Sequence, residues 1–196
     1  MGTLAPSVNK GLLVSGSNPT VILRSWLFNG HPRLPAQEVQ DYLRRSGVRV
    51  VLSGHQPHGD APVLLRCAPD LCVGSADTSY SAHVTWSEDL VPDKRALAAM
   101  EKRGESVSEV LVDVDGGLVC AVRASGVLSN GERWRARLAL DGTEKSFEGR
   151  ETLDGWWVKG HAESGFLCSR GVGLSVFNVL RPTLAEGDLR PRPSPL

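Results

Sequence analysis

The C-terminal half of the chain alternates apolar and polar residues with a period of two. From Ser106 onward, short alternating runs are separated by Asp115-Gly116-Gly117, Asn130-Gly131 and Asp141-Gly142. Alternation puts successive side chains on opposite faces of a strand, and Asn-Gly or Asp-Gly dipeptides favour tight hairpin turns. The sequence therefore predicts an antiparallel β-rich region over residues 105–181. Its strands are expected at 110–114, 118–122, 126–128, 134–140, 156–159, 165–168 and 176–179.

The N-terminal half has a different pattern, which begins with a helix. Pro35 is a favoured first helical residue, Gly47 is a stop signal, and apolar residues between them recur at helical spacing. We predict a helix over residues 37–46. The apolar, β-branched run at 48–52 follows after a short turn and is typical of a strand covered on both faces of a sheet. Helix, turn and buried strand together make half of an α/β unit.

Four further segments complete the predicted organisation. Residues 63–66 and 71–74 read as two short strands around a turn, which predicts a hairpin. We expect an irregular N-terminal segment at 1–17, a connector compatible with a helix at 91–104, and a disordered Pro-rich tail at 182–196.

Composition excludes some partners and compartments. The chain has 22 basic and 22 acidic side chains, so it has no excess positive charge for binding nucleic acid. No apolar stretch is long enough to span a membrane, and residues 1–9 lack the pattern of a signal peptide. We therefore expect a soluble, intracellular, cytoplasmic protein with no membrane partner. Scattered cysteines without a CxxC pair favour buried thiols over a zinc site or disulfides: Cys67, Cys72, Cys120 and Cys168.

The strongest candidate for chemistry is the loop after the predicted strand at 48–52. It contains His55, His58 and Asp60, interleaved with glycines and Pro57. Imidazole nitrogens and carboxylate oxygens suit divalent transition metals, and glycines let a backbone bend closely around an ion or a phosphate. Such a short string also occurs in ordinary loops, so the residues alone leave both interpretations open.

The loop sequence resembles a motif of a known enzyme family. Residues 53–60, Ser-Gly-His-Gln-Pro-His-Gly-Asp, are similar to the late GHxPxGD histidine motif of calcineurin-like, Ser/Thr phosphatase-like metallophosphoesterases. The passage at 43–52 and the segment at 76–81 also look like that family. The resemblance implies a partial phosphoesterase domain at 18–90. The expected fold class is then α+β: the C-terminal portion of an α/β metallophosphoesterase sheet, followed by the antiparallel β-rich region.

The same resemblance assigns roles to single residues. In the family, the histidine of this motif binds one of two metal ions, so His55 is the expected metal ligand. Pro57 stands where some members have a second histidine, and proline cannot coordinate through its side chain. His58 and Asp60 are candidate catalytic residues; a solvent-facing loop histidine and a turn cap are the respective alternatives. The implied cofactor is a divalent metal: Mn, Fe or Zn.

Most of the family's metal ligands have no counterpart in this chain. The DxH, GDxxDRG and GNHE segments, which precede the histidine motif in the family, do not occur in the sequence. We therefore expect a C-terminal fragment of a metal-dependent phosphoesterase, inactive alone, which meets a phosphate-ester substrate only when the missing N-terminal half completes it. The alternative is a non-catalytic protein-interaction module built on a degenerate phosphoesterase fold. The sequence does not indicate an oligomeric state.

Overall fold

A computed structural model describes most of the chain from residue 26 to residue 191. The described ranges are 26–28, 30–54, 58–78, 83–86, 106–141, 146–172 and 175–191. The regular elements are β1 Leu27–Phe28, β2 His31–Pro32, α1 Gln37–Arg45, β3 Val50–Ser53, β4 Val63–Ala68, β5 Leu71–Ser75, β6 His83–Trp86, β7 Val107–Asp115, β8 Leu118–Val127, β9 Arg133–Ala139, β10 Trp157–Ala162, β11 Gly165–Val172, β12 Ser175–Arg181 and a 3-10 helix at Glu186–Asp188.

Strands β7 to β12 form the predicted antiparallel meander. Each pairs with its successor, and β6 adds to β12 in the parallel direction, which gives a seven-stranded sheet of order β6-β12-β11-β10-β9-β8-β7. Two of the predicted turn signals are confirmed: Gly116, between β7 and β8, has a φ angle of +54°, and Gly131, between β8 and β9, one of +87°. Gly142 of the third lies outside the described part of the chain. The run at 126–128 is not a separate strand, because β8 extends without interruption to Val127.

A smaller sheet of order β3-β5-β4 precedes the meander. The predicted hairpin is confirmed as β4 and β5, which pair antiparallel, and β3 pairs with β5 in parallel. The predicted helix is confirmed as α1, although Val39 and Tyr42 are exposed. The expectation that β3 is covered on both faces was wrong, because Leu52 is 37% exposed.

The core lies on both faces of the small sheet. On one face, Leu64 and Cys72 pack against residues of β8, β9 and β11, including Val122, Leu138 and Leu167. On the other face, a second cluster surrounds Trp157. Its buried members and the half-buried residues packed on them are Val63, Leu65, Cys67, Leu71, Val73, Trp26, Leu34, Leu43, Val51 and Ala68. Residues from both halves of the sequence therefore contribute to each of these two clusters.

The predicted α+β class was wrong. The protein is mostly β, and α1 is the single α-helix in the described ranges. The prediction failed because an apolar strand shows that its faces are covered but not by which kind of element. Here one face of the small sheet is covered by another sheet, where a metallophosphoesterase sheet would have helices.

The Pro-rich tail is partly ordered. Residues 182–191 include the 3-10 helix, and Leu189 is buried and forms a β-bridge with Thr152. The carboxylate of Glu186 accepts hydrogen bonds from the nearly buried guanidinium of Arg150 at 2.7 and 2.8 Å. The disorder predicted for 182–196 is thus wrong for residues 182–191.

Other sequence predictions fall outside the described part of the chain. The N-terminal segment at 1–17 and the connector at 91–104 lie there, and so do residues 192–196. In the described ranges, no helix has the length and apolarity needed to cross a membrane. All four cysteines are unpaired, and burial raises the pKa of the Cys67, Cys72 and Cys168 thiols to about 12.

Gly149 joins the two sheets, and we expect its replacement to be costly. Its φ angle is +74°, its carbonyl accepts from the Arg66 amide, and an added Cβ would lie 3.0 Å from that nitrogen and 2.9 Å from Leu138 Cδ2. Gly149→Ala should lower the free energy of unfolding by about 2–3 kcal/mol, because strain and overpacking add. Gly116→Ala, with a φ angle of +54° and open space at its Cβ, is the matched control. Its cost should be about 1 kcal/mol; equal losses in urea denaturation would contradict the close-packing argument.

Candidate functional site

The motif loop, residues 54–60, leaves the small sheet where two parallel strands end. Ser53 closes β3 directly beside Ser75, the last residue of β5, and the Ser53 hydroxyl donates to the Gly74 carbonyl at 3.3 Å. Loops beyond the carboxyl ends of parallel strands are common positions for ligand-binding groups. Residues 55–57, including His55, lie outside the described part of the chain. The structure describes both flanks of this segment: Gly54 is exposed and His58 is buried.

His58 enters the interior completely. Its side chain has no exposed surface, and neither ring nitrogen has a hydrogen-bond partner among the described residues. Burial, reinforced by the charges of Lys159 and His31, holds the pKa of His58 well below its usual value. The ring is therefore neutral at pH 7. The solvent-facing alternative for His58 is wrong, because the ring has no exposed surface. The catalytic role of His58 stays a prediction.

Asp60 caps a distant turn. Its Oδ2 atom accepts from the Ser129 amide at 3.0 Å and from the Ser129 hydroxyl at 2.5 Å. Ser129 belongs to the turn between β8 and β9, and the Asp60 side chain is 1% exposed. A buried carboxylate with two such donors is well satisfied. Asp60 thereby ties the motif loop to the large sheet.

Lys159 on β10 fixes the same loop through hydrogen bonds to its backbone. Its ammonium group donates to the backbone carbonyls of His58 and Ala61, the latter at 2.6 Å, and the residue is only 2% exposed. Burial lowers the pKa of Lys159 to about 7, and the negative charge of Asp60 opposes that shift. Sequence reasoning missed this residue. A lysine directly after three apolar residues was the only signal, and it does not reveal a partner about a hundred positions earlier.

Position 59 of the motif loop requires a glycine. Its φ angle is +75°, and a Cβ at this position would lie 2.9 Å from Val176 Cγ1 and 3.5 Å from Asn178 Nδ2 on β12. Asn178 is buried, and its Oδ1 atom accepts from the Ser169 hydroxyl at 2.5 Å. The loop thus packs directly on the large sheet, and the glycine permits both the turn and the close approach.

The described residues do not form a metal centre by themselves. Within the described ranges, no group of three or more His, Cys, Asp or Glu side chains is placed to hold an ion. Asp60 has its Oδ2 atom committed to Ser129, and the buried ring of His58 stands without such a cluster. A binuclear centre needs several ligands of these types. We therefore assign no catalytic step to the described side chains.

The chain was also compared with known proteins. No family model, curated protein or solved structure matches it. Membership of the calcineurin-like metallophosphoesterases therefore rests on the residues at 43–60 and 76–81 and stays a prediction. What the structure adds is the architecture of the motif loop: one flank follows a strand end, and the other is fixed in the interior by His58, Asp60 and Lys159.

Proposed function

We propose that the motif loop supplies one metal ligand, His55, to a metal-dependent phosphoester hydrolase. The remaining ligands would come from polypeptide that is not part of this sequence. The divalent metal would be Mn, Fe or Zn, and the substrate a phosphate ester. We also place the protein inside the cell, where unpaired cysteines are stable.

The observation that carries this proposal is the two-sided anchoring of the loop. Gly54 follows the end of β3, and six residues later Asp60 is fixed to Ser129. A functional loop gains precision when its ends are held by the scaffold, because less conformational freedom remains to be lost on binding. A loop of this kind suits the presentation of one imidazole to an ion.

The same proposal implies that the chain has no phosphatase activity alone. Two-metal hydrolysis requires ions that activate a hydroxide and neutralise charge on the phosphoryl group, and these ions need many ligands. One imidazole binds a divalent ion only weakly. The role proposed for this chain is therefore to complete a site.

Manganese titration followed by NMR tests the role of His55. Because Mn²⁺ broadens nearby proton signals even when it binds weakly, the ring protons of His55 should broaden first and those of exposed His161 much later. His55→Gln should remove the most sensitive signal, and the control His161→Gln should leave it unchanged. If His55 responds no earlier than His161, the metal-ligand role is excluded.

The isolated chain with manganese should not hydrolyse a chromogenic phosphate ester above the buffer rate. Turnover that survives purification and disappears in His55→Ala would contradict the proposed dependence on outside ligands.

A non-catalytic interaction module is the second candidate. Apolar side chains stand exposed on β7, at the margin of the large sheet, and on neighbouring β8: Val107 is 68%, Val114 60% and Leu118 63% exposed. Val114 and Leu118 lie together near the turn between β7 and β8, whereas Val107 lies at the other end of β7. Clustered exposed apolar groups are typical of interaction surfaces. Metal binding separates the candidates, because this module has no need of an ion at His55.

A further inference from the structure

Strand β9 carries an arginine at every second position. Arg133, Arg135 and Arg137 are exposed, whereas the alternate residues Trp134, Ala136 and Leu138 are buried against the small sheet. The period of two places the three arginines on the outer face of the large sheet. This face lies on the opposite side of β9 from the core, so the arginines contribute nothing to the apolar interior.

The three arginines have different neighbours on the adjacent strands. Arg137 lies opposite Arg123 on β8, and Asp113 neutralises Arg123 through three hydrogen bonds of 2.8 to 3.0 Å. Arg135 lies between Ser125 and His161, and Arg133 lies opposite Val127. Neither Arg133 nor Arg135 has a carboxylate within ion-pair distance among the described residues.

A groove of about 730 Å³ runs over these two arginines. Besides the two arginines, its lining includes the Ser125 hydroxyl, the His161 imidazole and the Val127 side chain. Glu163 is the one carboxylate among the lining residues. The ring of His161 packs against Phe166 at a tilt of 46°, with the ring centroids 4.0 Å apart, and this contact restricts its orientation. The two arginines outnumber the one carboxylate that lines the groove. Two further carboxylates lie beside it: Glu109 accepts from the Ser125 hydroxyl at 3.0 Å, and Glu148 lies 3.8 Å from His161 Nε2.

We propose that this groove on strands β8 to β10 binds an extended acidic peptide. Alternate residues of a strand are roughly 6.6–6.8 Å apart, and an extended peptide has the same repeat. Two acidic side chains separated by one residue therefore face Arg133 and Arg135 together. Val127 gives the intervening segment an apolar contact. This site is independent of the metal ligand proposed above.

A long polyanion fits the surface less well than a short acidic segment. Strand β7 borders the same sheet and carries Glu109, Asp113 and Asp115, and the chain as a whole has no net charge. A nucleic acid continuing past the groove would meet these carboxylates. The unpaired positive charge is therefore local to Arg133 and Arg135, which favours a short acidic peptide over a long polyanion.

Fluorescence anisotropy with a short labelled peptide that alternates glutamate and threonine tests the site. At low salt the double variant R133Q/R135Q should bind the peptide about tenfold more weakly, equivalent to about 1.4 kcal/mol. R45Q is the matched control, since Arg45 is an exposed arginine on α1, and it should change the affinity less than twofold. Salt should weaken wild-type binding.

Charge reversal gives a second, independent readout. R133E/R135E should lose the glutamate peptide and gain a peptide in which lysine replaces glutamate. Unchanged affinity in R133Q/R135Q, or an equal loss in R45Q, would overturn the site. Oligothymidylate bound more tightly than the peptide and in an Arg133-dependent manner would overturn the choice of ligand.

Discussion

Replacing Lys159 by methionine should abolish a rise in stability that the wild-type chain shows between about pH 7 and pH 8.5. The lysine pKa is about 7 in the folded protein and 10.5 in the unfolded chain. Between these values the unfolded chain binds more protons, so the free energy of unfolding increases with pH. The expected gain across this window is about 1.5 kcal/mol.

Other buried groups titrate outside this window. Because the pKa of His58 is lowered, the free energy of unfolding falls as the pH drops below about 6.5, where the unfolded chain binds more protons. The thiols with raised pKa values lower stability only above about pH 9, because there the folded state binds more protons than the unfolded chain. Urea denaturation at several pH values should therefore isolate Lys159. A rise that persists in Lys159→Met would assign the titration to another group.

Lys159→Met should also destabilise the protein at pH 7. It leaves the buried carbonyls of His58 and Ala61 without their donor, and removal of the desolvated ammonium offsets only part of that loss. The net cost should be about 2–3 kcal/mol.

Asp60→Ala should cause the largest loss of stability, about 3–4 kcal/mol. The substitution leaves the Ser129 amide and hydroxyl without this acceptor and takes the balancing charge away from Lys159. The free energy of unfolding, measured with urea at pH 7, reports the effect. Asp60→Asn should lie in between, because an amide oxygen still accepts.

Asp70→Ala is the matched control for Asp60→Ala. Asp70 pairs with Arg44 at 2.8 Å on the surface, where both side chains are partly exposed. Loss of such a pair costs at most about 1 kcal/mol. Similar losses in Asp60→Ala and Asp70→Ala would contradict the anchoring role of Asp60.

Local signals in the sequence predicted local structure correctly. Pro35 and Gly47 bracket α1, and Gly131 marks a hairpin turn, because each acts through the backbone within a few residues. Alternation likewise predicted the meander. These elements need no knowledge of what lies far along the chain.

Long-range packing is what the sequence could not reveal. Asp60 meets Ser129 69 positions away, and Lys159 reaches a loop about a hundred positions earlier. Hydrophobic pattern predicted covered faces on the small sheet but not that another sheet covers one of them, and hence the fold class was wrong. Proline content likewise predicted disorder wrongly for residues 182–191, where Leu189 is buried.

In the candidate site, too, the sequence did not reveal the long-range contacts of single residues. Residue type alone made His58 and Asp60 candidates for chemistry, whereas the structure buries both and fixes Asp60 through a hydrogen-bonded turn. Their position supports a role in shaping the loop. His55, which the resemblance assigns to the metal, keeps that role as a proposal.

The pairing of β6 with β12 has a consequence for the order of folding. It joins His83 to Ser175, positions 92 apart, whereas the hairpins β7–β8, β8–β9, β10–β11 and β11–β12 close over short connections. Contacts of high sequence separation carry a large loop-closure cost and form slowly. The hairpins can nucleate first, and strands β3 to β6 then dock onto a nearly finished surface. The motif loop, whose anchors Ser129 and Lys159 both belong to that surface, therefore acquires its shape late in folding.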